Sequence, residues 1–235
     1  MIDRTVANCS EAVTSVFDGA TIMFGGFGSV GVPANLIEAL RRQGTTNLAV
    51  IHNGAGIGDF ALGGLVLDGR VRKLTASFPS NPGNRAFRDR YLKGEIELEL
   101  VPQGTLVERI RAAGAGLGGF FTPTAAGTEL AAGKETRVID GREYVLETPL
   151  HADFAFIKAY RGDRLGNLSY RKAMRNFNPI MATAAKAVIA EVEQIVPVGT
   201  LSLDEIHSPG IFVDRLVQVD RDSRLFDPRH EERAP

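Results

Sequence analysis

The residues with the most chemical promise are Gly25, Gly26, Phe27, Gly28, Ser29, Val30 and Gly31. They follow an apolar run, Thr21 to Phe24, and precede Pro33 and the helical pattern Ala34 to Arg42. Glycines so placed leave backbone N–H groups free to face an anion and let a ligand approach the main chain closely. Gly26 to Gly31 also satisfies G-x-G-x-x-G, the dinucleotide fingerprint. That reading needs an acidic residue about 20 positions further on to hold a ribose hydroxyl. None occurs between Glu38 and Asp59, and the next strand ends in His52-Asn53-Gly54. A nicotinamide-binding oxidoreductase is set aside for that reason, and the glycines alone are better explained as a tight first strand-to-helix turn.

Other chemistries find less support. No G-x-S-x-G elbow is present for serine hydrolysis. No H-x-x-H or carboxylate cluster suggests a metal, so none is expected. Cys9 is the sole cysteine, which rules out an intrachain disulfide and fits a reducing cytosol. The net charge of −1 gives no general reason to expect nucleic acid or an anionic membrane as partner. No apolar run approaches a membrane span and no signal peptide is evident, so the expected location is cytoplasmic.

The elements that must position the glycine run alternate between strand and helix. At 235 residues the chain suits one sizeable α/β domain over 1–220, with 221–235 a charged, disordered tail. Thr5 to Phe17 reads as an amphipathic helix, Thr21 to Phe24, Leu48 to Ile51 and Lys73 to Ala76 as buried strands, and Glu95 to Val101 as a half-exposed one. Leu106 to Ala113 is helical, Ala112 to Thr128 is a long functional or interface loop, and Arg137 to Leu146 is a hairpin turning at Asp140-Gly141. Phe154 to Tyr160 is a further buried strand, Ala182 to Ala187 a small-residue helix, Val188 to Val192 and Phe212 to Val219 the last strands. The fold class is therefore α/β, an open and mainly parallel sheet with helices on both faces. Ligands in such folds sit at the carboxyl ends of strands, where His52 to Gly58, SFPSNPGN (77–84), Pro102-Gln103-Gly104 and RGDRLGN (161–167) are expected.

A longer string is more specific than the glycines. Asp18, Gly19, Ile22, Met23, Phe24, Gly25, Gly26, Phe27, Gly31 and Pro33 fall on a pattern that resembles the signature of the first subunit of the family I CoA-transferases. The strings GEIELELVPQGTLVERIRAAGAG, FFTPT, GKETR, DGREYVLE, GDRLGNLSYRKAMRNFNP and HSPGIFV extend the resemblance, in order, to about residue 219. PLHADFAFIKA and the start of the SFPSNPGN loop are most similar to the 3-oxoadipate branch of that family.

The resemblance implies a CoA-transferase or NagB-like fold, and the first subunit of a two-subunit 3-oxoacid CoA-transferase. It implies ping-pong transfer of CoA from succinyl-CoA to 3-oxoadipate through a glutamyl-CoA thioester. The glutamate belongs to the second subunit, in a S-E-N-G motif, and no E-N-G occurs in this chain. A heterodimer or α₂β₂ assembly follows, with the CoA thioester as substrate and no permanently bound cofactor. Gln103 matches the family's amide donor to the oxyanion; without the resemblance it would be read as a turn glutamine. Gly25 to Gly31 matches the CoA-binding segment, and Asn53 and Asn84 are candidates in the substrate loops. His52 and Gly54 depart from the family's S-N-N, and His52, His151 and His207 read as structural. Two alternatives stand beside this one: succinyl-CoA:acetoacetate (or another short-chain acid) transfer, and, from another class, a stand-alone sugar-phosphate isomerase or ligand-binding protein on a related fold.

Overall fold

The computed structural model describes residues 2–80 and 84–220. The expected tail at 221–235 and positions 81–83 of the SFPSNPGN loop lie outside the described residues.

The first helix, α1 (Cys9–Val13), is much shorter than the amphipathic pattern from Thr5 to Phe17 suggests. Asn8 stops it on one side, its side chain accepting the Glu11 N–H as an N-cap. The residues before it are extended instead, with Val6 N–H donating to Leu216 O on the edge of the main sheet. The chain then alternates as expected through β1 (Thr21–Phe24), α2 (Ala34–Gln43), β2 (Leu48–Ile51), α3 (Leu62–Leu67), β3 (Val71–Ala76), α4 (Arg85–Leu92) and β4 (Glu97–Leu100). Helix α5 (Gln103–Gly114) starts at Gln103 itself rather than after it, because Pro102 is tolerated at the N-cap and its carbonyl accepts the Leu106 N–H.

The glycine- and threonine-rich stretch Ala112 to Thr128 is not wholly loop: it contains the end of α5 and a strand, β5 (Phe120–Thr122). That strand pairs with the hairpin β6 (Thr136–Ile139) and β7 (Arg142–Glu147) in a small antiparallel sheet. Partly buried ion pairs moor this sheet, since Arg109 on α5 contacts Glu99 of β4 and Glu147 of β7, and Glu147 also takes Lys134 Nζ at 2.6 Å. Burial alone would raise the Glu99 carboxyl, but Arg109 and Lys73 hold it below its ordinary range.

The remaining elements are β8 (Ala152–Asp163), β9 (Leu168–Ser169), α6 (Asn178–Ala182), β10 (Ala185–Val196) and β11 (Arg215–Gln218). The small residues Ala185 to Ala187 do not form the expected helix. They open β10, which pairs in parallel with β8 from Ala185 opposite Ala152 to Val196 opposite Asp163. Alanine's helix propensity is worth only tenths of a kcal/mol per residue, and so long a ladder overrides it.

The main sheet has the order β11-β10-β8-β1-β2-β3-β4, parallel throughout, with β9 antiparallel on β8. Successive residues of its strands face opposite cores. Ile22, Phe24, Phe154 and Phe156 pack with α1, α2 and α3, whereas Met23, Ala155 and Ile157 pack with Leu106 and Ile110 of α5 and Met181 of α6. The chain leaves β1 toward β2 on one side, while β8 flanks β1 on the other. Such a switch of direction opens a crevice at the carboxyl end of β1, where the glycine run begins.

Candidate active site

Gly25 to Gly31 crosses the top of β1 as a tight loop. Phe27 and Val30 exchange both backbone hydrogen bonds at 3.0 Å, so Gly28 and Ser29 form its tip. Gly25 is required by a close approach: a Cβ there would lie 1.8 Å from Asn178 Oδ1. Asn178, fully buried at the start of α6, accepts the Lys158 N–H through Oδ1 and donates to Gly31 O and Met174 O. One side chain thus ties the glycine loop to β8 and to the segment before α6.

The helix that follows the loop is anchored as well. Glu191 on β10 is fully buried, accepts the Leu36 N–H at 3.0 Å and pairs with Lys158 Nζ at 2.9 Å. A carboxylate therefore caps the first turn of α2, where a dinucleotide would place its pyrophosphate. This is a physical reason, beyond the missing ribose acid, against the G-x-G-x-x-G reading.

A cavity of about 700 Å³ opens between the glycine loop and the loops after β2 and β3. Phe27 and Gly28 form one wall, His52, Asn53 and Gly54 another, and Ser77, Phe78 and Gln103 close it. Of the seven residues expected to meet CoA, Phe27 and Gly28 line this space. Ser29 and Val30 are exposed at the tip, and Gly25, Gly26 and Gly31 are buried beneath. Among the described residues the N–H groups of Gly28 and Ser29 have no protein acceptor.

Gln103 and Asn53 meet in the cavity. Gln103 Nε2 donates to Asn53 Oδ1 at 2.7 Å, and the Ser77 hydroxyl donates to the same oxygen at 2.8 Å. Two donors on one oxygen fix the rotamer of both amides, leaving the second Gln103 N–H and the Asn53 Nδ2 group aimed elsewhere. Asn53 O in turn accepts from Ser77 N and Phe78 N, so the two loops are sewn together. Ser77 gave no local sign of this role in the sequence. Its hydroxyl faces an amide oxygen rather than a base, so it has no means of becoming a nucleophile.

Asn84 does not reach this cavity. It is buried, donates to Ala55 O and Gly56 O, and caps α4 by accepting the Phe87 N–H at 3.0 Å. Its side chain shapes the loop that carries Gly56 and Ile57. His52 is buried with Nδ1 against the backbone of Gly54. Burial pushes its imidazole below the ordinary range, so it is neutral near pH 7. Elsewhere, His207 accepts the Tyr170 N–H. Burial pushes the Cys9 thiol up to about 12, which removes it as a nucleophile.

The RGDRLGN segment lies away from the cavity. Strand β8 runs on to Asp163, whose carboxylate gathers Leu165 N–H, Asn167 N–H and Asn167 Nδ2 into a hairpin leading to β9. Arg161 is paired there with Glu205 at 2.6 Å, and neither Arg164, Arg171 nor Arg175 lines the site. Among the described residues no group of three or more His, Cys, Asp or Glu could hold a metal ion, and no helix is long and apolar enough to cross a membrane.

A second cavity of about 510 Å³ adjoins the first. It shares Phe27 and Gln103 with it and is otherwise formed by α5, the approach to α6 and Ile180 of α6 itself. Sequence reasoning missed it, because Asn176 and Phe177 are distant in the chain from both the glycine loop and Gln103.

A family model described as coenzyme A transferase matches residues 6–219. The chain is 56% identical over 219 residues to the first subunit of the 3-oxoadipate CoA-transferase of Pseudomonas putida, covering 93% of this chain and 95% of that protein. It is 52% identical over 215 residues to the first subunit of a succinyl-CoA:3-ketoacid coenzyme A transferase of Xanthomonas campestris, covering 91% and 88%. Among solved structures, an acyl-CoA transferase from E. coli O157:H7, in thioester complex with CoA, superposes with a TM-score of 0.82 at 23% identity. The alignment takes in 96% of this chain but 48% of that one, so the chain spans about half of the E. coli protein. That likeness bears on the fold.

Proposed function

The chain belongs to the coenzyme A transferase family, and from that premise we propose that it is the first subunit of a two-subunit 3-oxoacid CoA-transferase moving CoA from succinyl-CoA to 3-oxoadipate. The observation that carries the reading is a largely apolar cavity in which a few hydrogen-bond donors converge and no activated nucleophile stands. Gln103, Asn53 and the Gly28 N–H can receive negative charge, while among the described residues the lining offers no carboxylate to attack a thioester.

The missing nucleophile is a glutamate of the second subunit. It attacks the acyl-CoA carbonyl and expels CoA thiolate, giving a mixed anhydride. The thiolate then attacks the glutamyl carbonyl of that anhydride, breaking its C–O bond to release succinate and form a glutamyl-CoA thioester. The acceptor acid reverses the two steps. Gln103 Nε2–H donates to the oxyanion that forms at each attack, held in place through Asn53 and Ser77. A donor fixed before the reaction has no reorganisation cost when charge develops, which is the source of its effect. Gly28 and its neighbours line the path of the CoA thioester. The exposed apolar residues around the opening, Phe27, Val30, Ile57 and Phe78, support a docked partner, since a monomer rarely leaves such a cluster in water. The second subunit covers them in a heterodimer or α₂β₂ assembly, in the cytoplasm, without a bound cofactor.

The acceptor is tested with the assembled pair, succinyl-CoA as donor, and 3-oxoadipate and acetoacetate in parallel. A higher kcat/KM for 3-oxoadipate is expected. Preference for acetoacetate would move the protein to the other branch, and turnover of neither would overturn the assignment.

A further inference from the structure

We infer that the second subunit docks beyond the cavity opening as well, on a basic turn at Arg171 to Arg175 that takes carboxylates of that subunit between two exposed apolar contacts. The inference rests on the two-subunit reading above. The turn is continuous with the rim already assigned to the partner. Asn176 Nδ2 donates to Val30 O at 2.9 Å, and a Cβ on Gly31 would lie 3.1 Å from Met174 O.

The turn carries charge in excess. Residues 171–176 read RKAMRN, three cations and no acid. Arg171 is partly satisfied, its guanidinium 4.4 Å above the Tyr160 ring and 3.8 Å from Glu193. Lys172 and Arg175 are exposed and, among the described residues, make no ion pair. Glu205, an acid of the adjoining segment, is taken by Arg161 at 2.6 Å. Lys172 also holds a left-handed backbone, φ 52°, that few non-glycine residues adopt. Asn176 fixes the turn by bonding Ala173 O as well as Val30 O, so little is left to order when a partner binds.

The far side of the turn is apolar again. Burial, and after it the charge of Arg175, push the His207 imidazole below its ordinary range, so the guanidinium stands beside the segment that carries His207. Two single helical turns of that segment, Leu203–Glu205 and Gly210–Phe212, leave Leu203 89% and Ile211 80% exposed. Large bare residues on one side of the two cations, with exposed Val30 on the other, are the makings of a protein contact, apolar anchors with arginine among them. A substrate anion has no use for the apolar flanks, and neither Lys172 nor Arg175 lines either cavity. The occupant is therefore an acidic and apolar face of the second subunit.

The test measures the Kd between the full chain and the second subunit from low to high salt. Lys172→Asn, which tolerates the left-handed backbone, is combined with Arg175→Glu. This double variant is expected to weaken assembly by about tenfold or more at low salt and to flatten the salt dependence, because a like charge then faces the partner's carboxylates. Ile211→Ser should weaken assembly with the salt dependence kept. The replaced side chains are exposed, so both variants should melt as the wild-type chain does, which separates lost docking from lost folding. Unchanged affinity in the charge variant, or a loss equal at every salt concentration, would overturn the inference. Unchanged affinity with a lower kcat/KM for succinyl-CoA would overturn it too, and assign the turn to attracting substrate. A wild-type chain that binds no second subunit would overturn the two-subunit reading itself, and an assembled pair that transfers no CoA would overturn the activity alone.

Discussion

Gln103→Ala is expected to lower kcat for CoA transfer by roughly 10²–10³-fold, the typical cost of removing one preorganised oxyanion donor. The pair should still assemble, because the lost bond is the one Nε2 makes to Asn53 at 2.7 Å, and Asn53 Oδ1 keeps Ser77 as a donor. KM for succinyl-CoA should change little, since the interaction matters most where charge develops. Steady-state kinetics with size-exclusion chromatography check both halves. An equal fall in assembly would mark Gln103 as an interface residue instead.

The largest effect on stability is expected from Lys158→Met. Glu191 is fully buried and Lys158 partly so, and the pair joins β8 and β10 to the first turn of α2. Removing one partner strands a buried carboxylate, at a cost of about 3–5 kcal/mol. That is a large share of the roughly 5–15 kcal/mol that keeps a domain folded. Changing Glu191 to Gln in the same chain should recover much of the loss, since an amide needs no counter-charge while still accepting the Leu36 N–H. Denaturant midpoints of the single and double variants give the comparison. A Lys158→Met midpoint equal to wild type would show that Glu191 is compensated by its other hydrogen bonds alone.

Much of the scaffold was legible because local pattern and global demand agree in it. Thr21 to Phe24 and Leu48 to Ile51 are apolar on every position that two flanking helix layers bury, and the glycine loop stands where the sheet changes direction. Local signals misled where tertiary pairing was stronger. Ala185 to Ala187 read as helix, yet a twelve-residue strand claims them. Gln103 read as the residue of a turn, because Pro102 and Gly104 punctuate the sequence, yet both are tolerated in the opening of a helix. The supports of the site left no local trace. Asn178 lies 147 residues from Gly31 in the chain and Ser77 24 from Asn53, and only the parallel sheet brings them together. The short first helix is a further case: the apolar spacing from Val6 to Val16 was real, but Val6 is held by the sheet edge and not by a helix.

On the proposed function, this chain supplies the oxyanion donor and its partner the nucleophile. Intact-mass measurement of both subunits after incubation with succinyl-CoA tests it most directly. A covalent CoA adduct is expected on the partner, discharged by 3-oxoadipate, with this chain at its unmodified mass and inactive alone. A CoA adduct on this chain, or turnover by it without the partner, would contradict the account.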